Sequence, residues 1–247
     1  MKQDQELEKC QKIMDKSIKE YIYLLNKKSL LKESLKKNYN NSNNLIHSIR
    51  IIQETLYSSL LIDVHAWLFD ESRNRKNLSL YKLLEKLKNE NQKFLNILKE
   101  YYITPPSVVN LSNEINIDFW EKEHKRKKAK EFDEKIILCI NTYNSFINSE
   151  IGINIKNIRD KVLAHKENGY IIENKGHYIG EAIEAMEKMN IIIRLLNEIF
   201  QKKYYPIDEE EKNSSKKAKV FWEYIYNNPS SKKENGFEET VSKTISS

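Results

Sequence analysis

Two residues in this chain have the types and the spacing to do chemistry together: Arg159 and His165, in the string Arg159-Asp160-Lys161-Val162-Leu163-Ala164-His165. Arginine keeps its charge at physiological pH and can fork two N–H donors onto a phosphate. Histidine is the side chain whose unperturbed pKa lies in the physiological window, so it can take or give a proton there. Such a pair suits a phosphodiester cut without a metal. That reaction needs a base for a 2′-hydroxyl, an acid for the leaving oxygen, and fixed positive charge for the transition state.

The helical register around the pair bears on that role. Ile151, Ile155, Ile158, Val162 and His165 recur at spacings of four and three, which puts His165 on the apolar stripe of one helix. Taken alone, that position describes a core histidine bonded to a neighbour. Arg159 lies roughly 80° from the stripe centre at about 100° per residue, on its flank. The two positions make joint sense where the end of the stripe meets a second copy of the chain. A two-fold axis then brings two histidines and two arginines into one cleft, where neighbouring positive charge favours a neutral, basic imidazole. Asp160 points away from the stripe and is expected to orient a side chain or pair with a lysine.

The elements that must position these residues are helices. Among 247 residues there are only five glycines and four prolines, with 32% charged and 39% hydrophobic residues. The periodicity predicts helices over about 6–37, 45–69 and 78–102, a long one opened by Asp118 with Glu121 three residues on, and a last long one through Ala182, Met186, Met189, Ile193, Leu196 and Phe200. Gly152 is expected to mark a break before the motif helix. Gly169, Gly176 and Gly180 are expected to bracket a loop after it. Pro206 and Asp208-Glu209-Glu210-Glu211 are expected to close the last long helix, with a short helix from about Ser215 to Tyr226. The fold class expected is all-α, an antiparallel bundle of about five long helices. The division expected is 1–44 as an N-terminal helix and polar loop, 45–205 as the bundle, 206–228 as a short C-terminal helix and 229–247 as a disordered tail.

The net charge of +6 permits a polyanionic partner without demanding one. Cys10 and Cys139 make no disulfide framework, which together with an N-terminus lacking an apolar leader predicts a reducing, cytoplasmic setting. No apolar run approaches a membrane span.

With Ile158 before it and Lys166 after it, the Arg159–His165 string resembles the motif of the HEPN superfamily, and within it the abortive-infection (U-type) members. Those carry an arginine, a polar residue directly after it, and a histidine four to six residues beyond the arginine; here the polar residue is Asp160. Trp67-Leu68-Phe69-Asp70, followed by the helix start Leu78-Ser79-Leu80, adds a weaker similarity, and the resemblance spans Leu45 to about Tyr205. It implies a helical bundle that forms face-to-face homodimers and a metal-independent endoribonuclease without cofactor, serving as a defence effector or toxin. Arg159 and His165 would be catalytic, Asp160 supporting, and Lys161 and Lys166 contacts to RNA. The products implied are a 2′,3′-cyclic phosphate and a 5′-hydroxyl. A cognate antitoxin or activator protein is a further partner of that kind, and no membrane is involved. Other members of the superfamily only bind RNA or a protein, which is the alternative reading. A tyrosine two residues after the histidine, a modification point in some toxin members, is Glu167 here.

Other groups carry less. The run His124 to Lys130 (HKRKKAK) reads as a solvated helix face balanced by Glu121, Glu123 and Glu131, with RNA phosphates as the alternative. Asp63 and His65 do not share a helix face, so no metal site is expected there. The pairs Tyr101-Tyr102 and Tyr204-Tyr205 can stack bases, but at helix ends they read first as packing residues.

Overall fold

With so few glycines and prolines the chain has few places to stop a helix, and it folds accordingly. The computed structural model describes residues 2–36, 43–69, 80–88, 92–105, 117–158 and 175–227. Among these there are eight α-helices and no strand: α1 (Lys2–Ser34), α2 (Asn43–Leu68), α3 (Leu80–Leu87), α4 (Gln92–Ile103), α5 (Ile117–Ile147), α6 (Glu150–Ile158), α7 (Lys175–Gln201) and α8 (Ile207–Asn227). Five of them are 21 residues or longer, α1, α2, α5, α7 and α8. The predicted tail, and the loops after α1, α2 and α4, lie outside the described residues. No described helix is long and apolar enough to cross a membrane.

α7 is the axis of the bundle. Its stripe of Ala182, Ala185, Met186, Met189, Ile192, Ile193, Leu196, Ile199 and Phe200 is buried, and it packs against α1, α2, α4, α5 and α6. α1 belongs to the same core: Met14, Tyr21, Leu25 and Leu31 are buried in it, and the Tyr21 hydroxyl donates to the Met186 carbonyl of α7 at 3.3 Å. α8 lies along α1 through Ile207, Ala218 and Trp222, and Trp222 Nε1 donates to the Leu30 carbonyl at 2.8 Å. The buried Lys28 ammonium joins α1 to Glu211 of α8 at 2.8 Å, which satisfies a charge that would be costly alone.

Four boundaries differ from expectation. The helix predicted over 78–102 is two, α3 and α4, with 89–91 outside the described residues. Asn89 and Asn91 disfavour a helix interior because their amides compete for nearby backbone groups. The two halves also serve different neighbours: α3 packs on α2, α5 and α4, and α4 on α5, α1 and α7 as well. The C-terminal helix is not short: α8 starts at Ile207, and Asp208, Glu209 and Glu210 form its first turn. Acidic residues there complement the positive end of the helix dipole, so the cluster opens α8 and does not close α7. Gly176, His177 and Gly180 fall within the first turns of α7 and not in a loop. Glycine lowers helix propensity by ~1 kcal/mol, which packing along α7 outweighs. The break near Gly152 falls earlier, at Asn148 and Ser149.

Cys10 and Cys139 are buried free thiols. Burial pushes them up to about 11 and about 12, so neither is a nucleophile.

A polar knot ties α4, α5 and α7 together. The Tyr102 hydroxyl donates to Glu131 at 2.7 Å and accepts from Lys135 at 3.0 Å, and Lys135 also pairs with Glu131 and, at 2.7 Å, with Glu198. Burial opposes ionisation of Glu131, but hydrogen bonds from Lys128, Lys135 and Tyr102 outweigh it and hold its carboxyl down at about 2, against an ordinary 4.5. A depressed carboxylate stabilises the fold above its unfolded pKa and loses that contribution as the pH falls through the folded one. Stability should therefore drop between about pH 4.5 and about 2, more steeply in wild type than in Glu131→Gln. Denaturant titrations across that window check it, and equal slopes would refute the role of the knot.

Candidate functional site

α6 begins with a cap of its own. Ser149 Oγ accepts from the Gly152 amide at 3.1 Å, satisfying an orphan N–H of the first turn, and donates to the Phe146 carbonyl at 2.6 Å. This holds the start of α6 against the last turn of α5. The approach is close enough to require glycine: a Cβ at Gly152 would lie 2.3 Å from the Phe146 carbonyl oxygen. The predicted stripe is present where the residues are described, with Ile155 and Ile158 buried and Ile151 packed against the core. α6 touches α2, α5 and α7.

Arg159, Asp160, Lys161, His165 and Lys166 all lie outside the described residues. What is described is the platform they leave from. Ile158, the residue before Arg159 in the chain, is locked into the core.

Beside α6 stands a carboxylate the sequence did not single out. Glu181, in the second turn of α7, is buried, and its Oε1 accepts from Asn154 Nδ2 of α6 at 3.1 Å. A carboxylate is thereby placed beside the helix that leads into a basic string. Its only sequence signal is its position directly before the Ala182 stripe. At the C-terminal end of α2, His65 is buried and stacks on Phe69 with ring centroids 5.3 Å apart. Phe69 meets Phe146 of α5, and the Tyr143 hydroxyl donates to the Leu68 carbonyl at 2.9 Å. Asp63 pairs with Lys27 of α1.

The second half of α5 differs from the rest of the surface. From Ile136 to Ser149 there is no charged residue, in a chain that is 32% charged over its whole length. Part of that stretch serves the core, through Cys139, Tyr143 and Phe146, but Ile137 is 59% and Leu138 53% exposed. Asn141, Thr142 and Ser145 line a shallow groove of about 470 Å³ with Phe146 and Ile151, whose far side on α7 carries Ile191 and the charged pair Glu184 and Lys188. Ile153 of α6 is exposed as well. An exposed helix face that is apolar and depleted in charge has the composition of an interface core.

The other candidates sort by the same criteria. In the HKRKKAK run, Arg126 and Lys127 pair with Glu123, Lys128 with Glu131 and Lys130 with Glu134, the solvated and balanced face expected, although the last partner is Glu134. Tyr102 is buried, whereas Tyr204 is exposed.

The family model described as AbiU2 (HEPN_AbiU2) matches residues 5–221 of the chain. The match extends past the expected span of 45 to about 205 at both ends and takes in nearly all of α1 and most of α8. No curated protein and no solved structure matches.

Proposed function

The chain belongs to the HEPN AbiU2 family of abortive-infection proteins, and from that premise we propose that it is a metal-independent endoribonuclease acting as a defence effector, with Arg159 and His165 at a cleft between two copies. The observation that supports the reading is where α6 ends: Ile158, the residue before Arg159 in the chain, is buried in the core, and α5, which packs on α6, carries Ile137 and Leu138 on an exposed face that a second copy can cover.

On this reading His165 removes the proton of a 2′-hydroxyl, whose oxygen attacks the adjacent phosphorus. The O2′–P bond forms as the P–O5′ bond breaks, and the 5′-oxygen takes a proton from the second copy's imidazolium. A 2′,3′-cyclic phosphate and a 5′-hydroxyl result. Arg159 holds the phosphate and neutralises charge that grows on its free oxygens. Lys161 and Lys166 contact the strand on either side, and Asp160 orients a neighbouring cation.

The test is incubation of full-length protein with diverse single- and double-stranded RNAs in EDTA, followed by analysis of the product ends. Cleavage that leaves cyclic-phosphate ends supports the proposal, and intact RNA throughout counts against it. The interface has its own test. Leu138→Asp puts a charge on the exposed α5 face without touching the core, so helicity should stay and the protein should sediment as a monomer. Cleavage should then fall at least tenfold. A wild-type monomer, or a monomeric variant with full activity, would overturn the shared cleft.

A further inference from the structure

A second site lies at the opposite end of α7, about 30 Å from Glu181 at 1.5 Å per residue. There the end of α4, the first half of α5 and the α7–α8 turn enclose a cleft of about 500 Å³, within the range of small-molecule pockets. Four lysines face two carboxylates in its lining: Lys128, Lys135, Lys202 and Lys203 against Glu131 and Glu198. The polar knot already uses both carboxylates on Lys135 and Lys128, which leaves a surplus of positive charge.

Lys202 is the unusual member. It follows the last residue of α7 with φ 54°, and its amide donates to the Glu198 carbonyl at 3.1 Å. That is the left-handed helix cap where glycine is the ordinary residue, because a side chain there costs ~1 kcal/mol. The lysine side chain is instead laid across the cleft: its ammonium donates to the Thr104 carbonyl at 2.9 Å and lies 4.4 Å from the centre of the Tyr101 ring. Burial, and then the nearby charge of Lys128, make its protonated form less favourable. An anion between the two lysines would relieve that repulsion. Beside them Tyr204 is 67% exposed, next to the Arg194–Asp208 ion pair. A solvent-facing aromatic ring beside lysines that outnumber the carboxylates of the lining is the arrangement that stacks a base and holds its phosphate.

We propose that this cleft binds a ribonucleotide phosphate, with the phosphate between Lys128, Lys202 and Lys203 and the base on Tyr204. The ligand is either one unit of an RNA strand or a free nucleotide. No motif residue is part of the lining, so the test of this site does not depend on whether Arg159 and His165 cleave RNA.

The experiment uses full-length protein and two probes, ATP and a fluorescein-labelled 2′-O-methyl oligonucleotide, which has no 2′-hydroxyl to be attacked. At least one probe should bind. Lys203→Glu, Tyr204→Ala and Lys202→Gly should each weaken it at least tenfold, and Lys127→Glu, on the outer face of α5, by less than twofold. Lys202→Gly should also leave Tm unchanged or raise it, which a merely structural lysine would not do. Binding of the oligonucleotide alone assigns the site to an RNA strand, and binding of ATP alone assigns it to a free nucleotide. If both bind, ATP should displace the oligonucleotide. The proposal fails if neither probe binds, or if the three cleft variants bind as wild type does. Loss of cleavage in a His165 variant would be unaffected by that failure.

Discussion

Replacement of His165 by alanine is expected to lower RNA cleavage in EDTA by roughly 10²–10⁴-fold, the usual contribution of a positioned general acid or base. Arg159→Ala should cost about 10²–10³-fold, as loss of a charge-stabilising donor does. Arg159→Lys should fall between, because an ammonium keeps the charge but loses the bidentate fork. Both alanine variants should still sediment as dimers. The competing account, in which His165 is only a core histidine on the Ile151–Ile155–Ile158 stripe, makes the opposite prediction. It expects a sharp fall in Tm on removal of the imidazole and no activity in wild type to lose. Measuring Tm and cleavage on the same preparations separates the two. Full cleavage by either alanine variant would exclude Arg159 and His165 as the site.

The second large effect is expected at Gly152. A Cβ there would meet the Phe146 carbonyl oxygen at 2.3 Å, the Ile147 Cα at 3.0 Å and the Ile147 carbonyl oxygen at 3.1 Å. All three are backbone atoms, so no rotamer change can make room, and α6 must move off the last turn of α5. Overpacking of this kind costs about 1–3 kcal/mol, and more where backbone must shift. For a chain of this size that lowers Tm by roughly 2–4 °C per kcal/mol. Because α6 leads directly into Arg159, Gly152→Val should lose cleavage beyond what its fall in Tm explains. Gly180, also helical, is the control: nothing lies within 4 Å of a Cβ built there. Gly180→Ala should raise stability by about 0.5–1 kcal/mol through helix propensity. A Gly152→Val variant as stable and active as wild type would show that the α5–α6 junction does not position the site.

What was legible in the sequence was local. Helix class follows from spacings of three and four and from the scarcity of breakers, and Ala182, Met186, Met189, Ile193, Leu196 and Phe200 are buried as their stripe predicts. The Arg159–His165 string was likewise readable, because its residue types and spacing lie within one short segment. The family match carries the resemblance from that segment to most of the chain.

What the tertiary structure alone decided depends on residues far apart in the chain. Periodicity ran unbroken through Asn89–Asn91, so only the different neighbours of α3 and α4 show two helices. The uncharged run from Ile136 to Ser149 was present in the sequence, but an apolar helix stretch reads as core until packing leaves Ile137 and Leu138 more than half exposed. Ser149 and Gly152, not Gly152 alone, set the break, because the reason for glycine is a carbonyl six residues earlier brought close by the turn. Glu181 reached Asn154, and Lys128, Lys202 and Tyr204 reached one cleft, from separate helices. Spacing along one helix determines a face. Which faces meet, and what charge is left uncompensated between them, is determined by packing.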